Sequence, residues 1–317
     1  MRKKSGLQLV NLLVLMTLLA MAARANVESF WGAQEFYTRK GHLRYLLLFP
    51  PQYDPRQKYE LWLNLHGNPG CASHAIFQYR EAAQQRQVFL LAPQATGWAG
   101  LEYVRPDGKK DRYRFWNKRQ DREHILTVLD EVLAKYSIDR KRIALLGFSA
   151  GCQMGWRMLA ARPETFYFFG GVANGFKHGK PPVRAEALRR AARHVPHFYA
   201  AGQADAFAGP MFRETARKLR QYGFELRTAY PAGVGHDLPS SIKTPLLAFM
   251  DEVRARQKEG TARQSHTQTR QEGSLSARKP IVPFLWGAGT MLGGFVCLKL
   301  ALRRRSSLRR RPRRTKM

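Results

Sequence analysis

"RIALLGFSAGCQMGWRMLAARP", residues 142–163, decides how the rest of the chain is read. Its opening is an apolar run of strand length and its close reads as a helix. Between them stands Gly147-Phe148-Ser149-Ala150-Gly151, a G-x-S-x-G pentapeptide. A sharp turn from strand to helix leaves no room for side chains beside the serine, so glycine is needed on either side. The pentapeptide alone carries little information; its place between a strand and a helix makes Ser149 a candidate nucleophile.

Working outward, strand-like runs recur at "LRYLLLF", "YELWLNLH", "VFLLAPQ", "YFFGGVA", "HFYAAG" and "ELRTAYP". Helical patterns lie between them at 74–86, 121–137, 150–161, 211–222 and 241–256. In "DREHILTVLDEVLAKY" the apolar positions Ile125, Val128, Leu129 and Leu133 repeat at three and four, and Asp121 suits the positive end of the helix dipole. Such alternation predicts an α/β fold, a mostly parallel sheet with helices on both faces.

A serine hydroxyl needs a base, an acid to orient that base, and donors for an oxyanion. His236, in the glycine-rich "AYPAGVGHDLPSS" after the last strand, is the best placed of nine histidines. His42, His74, His124, His178 and His194 read as surface or core residues, and His66 as a brace for its loop. Asp205, in "HFYAAGQADAFAGP", follows the preceding strand and is the expected orienting acid. Asp237 is a poor rival, because neighbouring loop side chains seldom face one another. The order Ser149, Asp205, His236 is the one this chemistry takes on an open α/β sheet. Oxyanion donors are expected from the backbone N–H of Ala150 and, in "LWLNLHGNPGC", from that of Asn68. Trp116, Phe148 and Phe207 lie near strand ends, where substrate would sit. No cofactor or metal is called for.

The ends differ from the body. Residues 1–25 have a basic start, an apolar stretch and small residues at Ala23 and Ala25, the plan of a secretory signal peptide. Residues 26–257 form the expected catalytic body, and the polar, aperiodic 258–279 a flexible linker. Residues 280–302, uncharged from Ile281 to Leu298, are long enough for a transmembrane helix. The tail 303–317 has nine Arg or Lys among fifteen residues, which places it on the cytoplasmic side. The body is then extracytoplasmic, periplasmic or extracellular. Gly289 and Gly293 offer a small-residue face for weak self-association in the span.

The 54 basic and 23 acidic residues give a formal charge of +31. Four basic groups fall in residues 1–25 and fifteen in 258–317, leaving about +14 on the body. Much of the excess therefore orients the chain in a membrane, and no nucleic-acid partner is expected. Of the three cysteines, Cys297 lies in the span. Cys71, closing the oxyanion loop, and Cys152, one turn into the helix after Ser149, could meet as a disulfide if their Cα atoms come within about 7 Å.

The body resembles the α/β-hydrolase superfamily, and within it the secreted esterases that include polyhydroxybutyrate depolymerases, feruloyl and acetylxylan esterases and dienelactone-hydrolase relatives. The resemblance rests on "LHG" at 65–67, residues 136–166, "GQAD" at 202–205 and "GHD" at 235–237. It implies a serine esterase acting on a small-molecule or polymer-linked ester. The stretch 167–195 is too short for the cap domain of many lipases, which predicts an open cleft. A peptidase or acyltransferase uses the same triad, and a silent membrane-tethered binding protein is the alternative of a different kind.

Overall fold

The computed structural model describes residues 32–104, 110–117 and 119–276. Ten strands and six α-helices occupy them. In chain order they are β1 Gln34–Tyr37, β2 Arg44–Leu48, β3 Tyr59–Leu65, α1 Ala72–Gln85, β4 Phe89–Pro93, β5 Gly97–Val104, β6 Lys110–Phe115 and α2 Gln120–Lys135. There follow β7 Ile138–Phe148, α3 Ala150–Ala161, β8 Phe168–Val172, α4 Ala185–Ala192, β9 His197–Ala200, α5 Phe212–Gln221, β10 Leu226–Ala229 and α6 Ser240–Ser276.

Eight strands form one sheet in the order β1-β2-β4-β3-β7-β8-β9-β10. The pairs β1–β2 and β2–β4 are antiparallel and the remaining pairs are parallel. Strands β3, β4 and β8 are buried at every position, which explains their continuous apolar runs: a central parallel strand is covered on both faces. Alternate side chains divide between two cores. Leu61, Leu63, Leu145 and Phe169 meet α2 to α5 through Ile125, Trp156, Leu188 and Leu219. Trp62, Ala144, Leu146 and Phe168 meet α1 and α6 through Ile76, Tyr79, Leu246 and Met250. The α/β layering with a mostly parallel sheet is as the sequence predicts.

Several elements are additional to that reading: the edge strand β1, the short helix α4, and the antiparallel hairpin of β5 and β6. The hairpin joins the loop after β3, where Gly70 and Arg114 exchange both backbone hydrogen bonds at 3.1 and 2.7 Å. Helix α6 continues to Ser276, well beyond residue 256 and into the stretch read as a linker. Residues 258–276 contain no proline, and about half are Ala, Gln, Arg, Lys, Glu or Leu, which are good helix formers. Among the described residues no helix is long and apolar enough to cross a membrane. The expected signal peptide 1–25, the span 280–302 with Gly289, Gly293 and Cys297, and the tail 303–317 lie outside the described residues.

Cys71 and Cys152 are thiols and form no disulfide. The pairing that their places in sequence allow is not made. Cys152 is buried in the core beneath α3, against Gly171 of β8. Cys71 precedes α1, which covers the opposite face of the sheet, and its Sγ lies 3.0 Å from Ser73 Oγ. Burial pushes the Cys152 thiol well above its ordinary range, so it is a weak nucleophile. Mass spectrometry of protein unfolded without reductant is expected to show both residues alkylated, and a 71–152 linked peptide would contradict this packing.

Candidate active site

Ser149 stands between β7 and α3 with φ 53° and ψ −120°, a region a non-glycine residue enters only when its surroundings force it. Its N–H donates to the Val172 carbonyl at 2.8 Å, which ties the turn to β8. Gly151, one residue into the helix, lies so close to the Leu65 carbonyl that a Cβ would overlap it, with the His66 carbonyl 2.6 Å away. Glycine is thus required there because α3 starts in contact with the end of β3. The hydroxyl-bearing residue is largely buried.

Two loops from distant parts of the chain complete the centre. His236 Nε2 is 2.9 Å from Ser149 Oγ, and His236 Nδ1 is 2.8 Å from Asp205 Oδ2. The Asp205 side chain is fully buried, while that of His236 is 40% exposed. Asp205 Oδ1 accepts from the N–H groups of Phe207 and Ala208 at 2.9 and 2.8 Å. These bonds hold one carboxylate oxygen and leave Oδ2 aimed at the imidazole. The two loops are locked together by Ala204 N–H to the Val234 carbonyl at 2.9 Å and Gln203 N–H to Pro231 at 3.0 Å. Gly202 permits this approach, since a side chain there would collide with the Val234 carbonyl. Asp237 is turned elsewhere, accepting from the Leu238 N–H at 2.7 Å.

The loop after β3 borders Ser149, for a Cβ at Gly67 would touch Ser149 Cβ at 3.3 Å. His66 holds that loop from below. Its Nδ1–H donates to the Gly67 carbonyl at 2.7 Å and its Nε2 accepts from the Ala95 N–H at 3.2 Å. Burial pushes its pKa down to about 4, so the ring stays neutral in this role. Asn68 is exposed, its peptide to Pro69 is cis, and its Oδ1 accepts from the Trp116 N–H at 3.1 Å. Ala150 is the first residue of α3, so its N–H has no partner within the helix.

The three aromatic residues expected to line a pocket divide in two. Phe148 and Phe207 flank His236, with ring centroids 5.2 and 5.9 Å from the imidazole, and Phe207 is 55% exposed. Trp116 is buried instead: its indole stacks on His66 at 4.3 Å and donates to the His66 carbonyl at 2.7 Å. It braces the loop rather than facing a ligand, a role set by a contact fifty residues away in sequence. The capping bonds at Asp205 were open to sequence reading, because an aspartate commonly accepts from the N–H two residues on.

No protein-family model matches the chain, and no curated protein matches it in sequence. Solved structures do match. A thermostable esterase superposes with a TM-score of 0.50 at 20% identity, covering 69% of this chain and 62% of that one. A ferulic acid esterase from the anaerobic fungus Anaeromyces mucronatus gives 0.50 at 15% identity, over 68% and 88% of the two chains. The S-formylglutathione hydrolase of Staphylococcus aureus gives 0.51 at 12%, over 70% and 96%. The chain thus spans less than two thirds of the thermostable esterase's length. At these identities the likeness is one of fold: an α/β architecture with a mostly parallel sheet, shared with esterases.

Two outcomes follow from the brace. Trp116→Phe removes one buried donor and leaves the His66 carbonyl unpaired, so chemical denaturation is expected to show a loss of about 1–2 kcal/mol. His66 binds no proton until about pH 4 when folded but near its ordinary 6.5 when unfolded. Its contribution to stability is therefore present above pH 6.5 and lost as pH falls towards 4. Imidazole nitrogen shifts from NMR should still report neutral His66 at pH 5.

Proposed function

We propose that this chain is a serine hydrolase of the α/β-hydrolase kind that cleaves carboxylic esters through an acyl-enzyme. The observation that carries this reading is the unbroken line of hydrogen bonds from Ser149 Oγ through His236 to Asp205. The fold shared with esterases supports the choice of ester over amide.

In this mechanism Ser149 Oγ attacks the ester carbonyl carbon and passes its proton to His236 Nε2. The Asp205 carboxylate accepts from Nδ1–H, fixes the tautomer and stabilises the imidazolium that forms. The oxygen of the tetrahedral intermediate receives the N–H groups of Ala150 and Asn68. The proton on Nε2 then goes to the leaving alkoxide, and the alcohol departs from acyl-Ser149. Water, deprotonated by the same imidazole, attacks the acyl carbon, and Ser149 leaves with the proton returned to it. Phe148 and Phe207, beside the imidazole, form an apolar border suited to the acyl or alcohol group.

The ends of the sequence support an exported protein with its catalytic body outside the cytoplasmic membrane, a span at 280–302 and a basic tail inside. Protease added to intact cells is then expected to remove the body and spare the tail.

Hydrolysis of p-nitrophenyl butyrate is the direct test. Ser149→Ala is expected to lower kcat at least a thousandfold and to abolish labelling by a fluorophosphonate. Asp205→Asn should lower it by about ten thousandfold, as the imidazole is held in the wrong tautomer. An unchanged rate in folded Ser149→Ala would refute the assignment.

A further inference from the structure

The positive charge of the body is unevenly placed. Residues 177–220 hold ten Lys or Arg against three acids, so half of the body's excess falls in less than a fifth of its length. This segment makes the turn after β8, helix α4, strand β9 and helix α5. Arg213, Arg217 and Arg220 recur at four and three along α5, are all exposed, and stand on a face apart from the buried Phe212, Thr215 and Leu219. Helix α4 runs beside α5, for the Arg189 guanidinium lies 5.4 Å from the centre of the Tyr222 ring, just past the end of α5. Arg193, one turn beyond Arg189, is exposed as well. At the start of α5, a Cβ on Gly179 would meet Glu214 Oε1 at 3.0 Å, so the turn carrying Lys177 and Lys180 abuts the first turn of that helix. The cations thus share one surface.

Little opposes them. Of the three acids, Asp205 is fully buried and faces His236. Glu186 and Glu214 pair with Arg189 and Arg217, at 3.6 and 2.6 Å. On the flanking elements, Glu225 is held by Arg256 at 2.6 Å and Asp130 by Arg162 at 2.7 Å. Lys177, Lys180, Arg193, Arg213, Lys218 and Arg220 make no ion pair among the described residues. A second copy of this face, or the basic tail 303–317, has the same sign and is repelled. A nucleic-acid strand gains much of its affinity by stacking on rings. None of the exposed large apolar side chains among the described residues lies on α4, on α5 or in the turn before them. Between Lys180 and Arg184 stand Pro181, Pro182 and Val183, each partly exposed, so small apolar surfaces lie among the cations. That mixture suits the boundary between lipid headgroups and acyl chains.

We propose that the surface formed by α4, α5 and the turn before them docks on an anionic phospholipid bilayer, its guanidinium groups paired with headgroup phosphates. Each cation brought near such a surface strengthens association about fivefold, and salt screens the effect. Docking needs none of Ser149, Asp205 and His236 and is independent of the esterase reading.

The full chain, reconstituted into bilayers of phosphatidylcholine alone or mixed with phosphatidylglycerol, would be treated with an amine-acylating reagent and its lysines followed by mass spectrometry. Phosphatidylglycerol is expected to slow the labelling of Lys177, Lys180 and Lys218 about fivefold or more, and high salt to restore it. Lys40 and Lys58, exposed elsewhere on the body, should label equally in both bilayers. Arg193→Gln, Arg213→Gln and Arg220→Gln combined remove cations without an ion pair, so the melting temperature should hold while the protection is lost. Equal labelling of the three lysines in both bilayers, equal protection of Lys40 and Lys58, protection that survives in the combined variant, or protection by duplex DNA but not by phosphatidylglycerol would each overturn the proposal. The lysine pattern of the unsubstituted chain and its response to salt decide the matter even if the combined variant folds poorly.

Discussion

The structure turns on a single bend in the backbone. At Ser149 the chain leaves a buried strand and enters a helix within one residue, at φ and ψ values that cost on the order of 1–3 kcal/mol. The cost is met by neighbours that admit no alternative: the Ser149 N–H is bound to β8, and Gly151 rests on the Leu65 carbonyl of β3. Three adjacent parallel strands therefore fix the position of one hydroxyl. The loops carrying Asp205 and His236 need only reach that point, and their mutual hydrogen bonds hold them there.

This dependence explains what was legible in the sequence. Ser149 and Asp205 could be named because each follows a strand that ends in a buried apolar run, and His236 because it stands in a glycine-rich loop after the last strand, a strand that is itself only partly buried. His66 could be read as a brace, and the structure gives it two backbone partners. Trp116 could not be placed, because its partner is a carbonyl made available only by the turn after β3. The hairpin escaped notice because "KDRYRF" is mostly charged, and Gly97 and Gly100 interrupt the pattern of its first strand. Helix α4 buries only Leu188 and Ala191, too few for a periodic signal. Whether Cys71 and Cys152 pair was not legible either, because both lie beside the turn and sequence does not give the distance between them; the structure leaves both as thiols.

The carboxyl edge of the sheet thus carries two regions of unlike character. The one at Ser149 is bordered by Phe148 and Phe207 and centred on an imidazole open to solvent on one side. The other, towards β1, is lined by arginines, two of which flank Trp98. The hairpin belongs to both neighbourhoods, for Arg114 bonds through its backbone to Gly70 and through its side chain to Thr96. A shift of that hairpin would be felt at Gly67 and hence beside Ser149.

The unbridged sulfurs bear on how the molecule is made. With Cys71 and Cys152 sealed from solvent and no disulfide among the described residues, this part of the chain reaches its native state without a thiol oxidase or a disulfide isomerase. A cytosol rich in glutathione and a compartment that favours cystine would then yield the same fold for these residues.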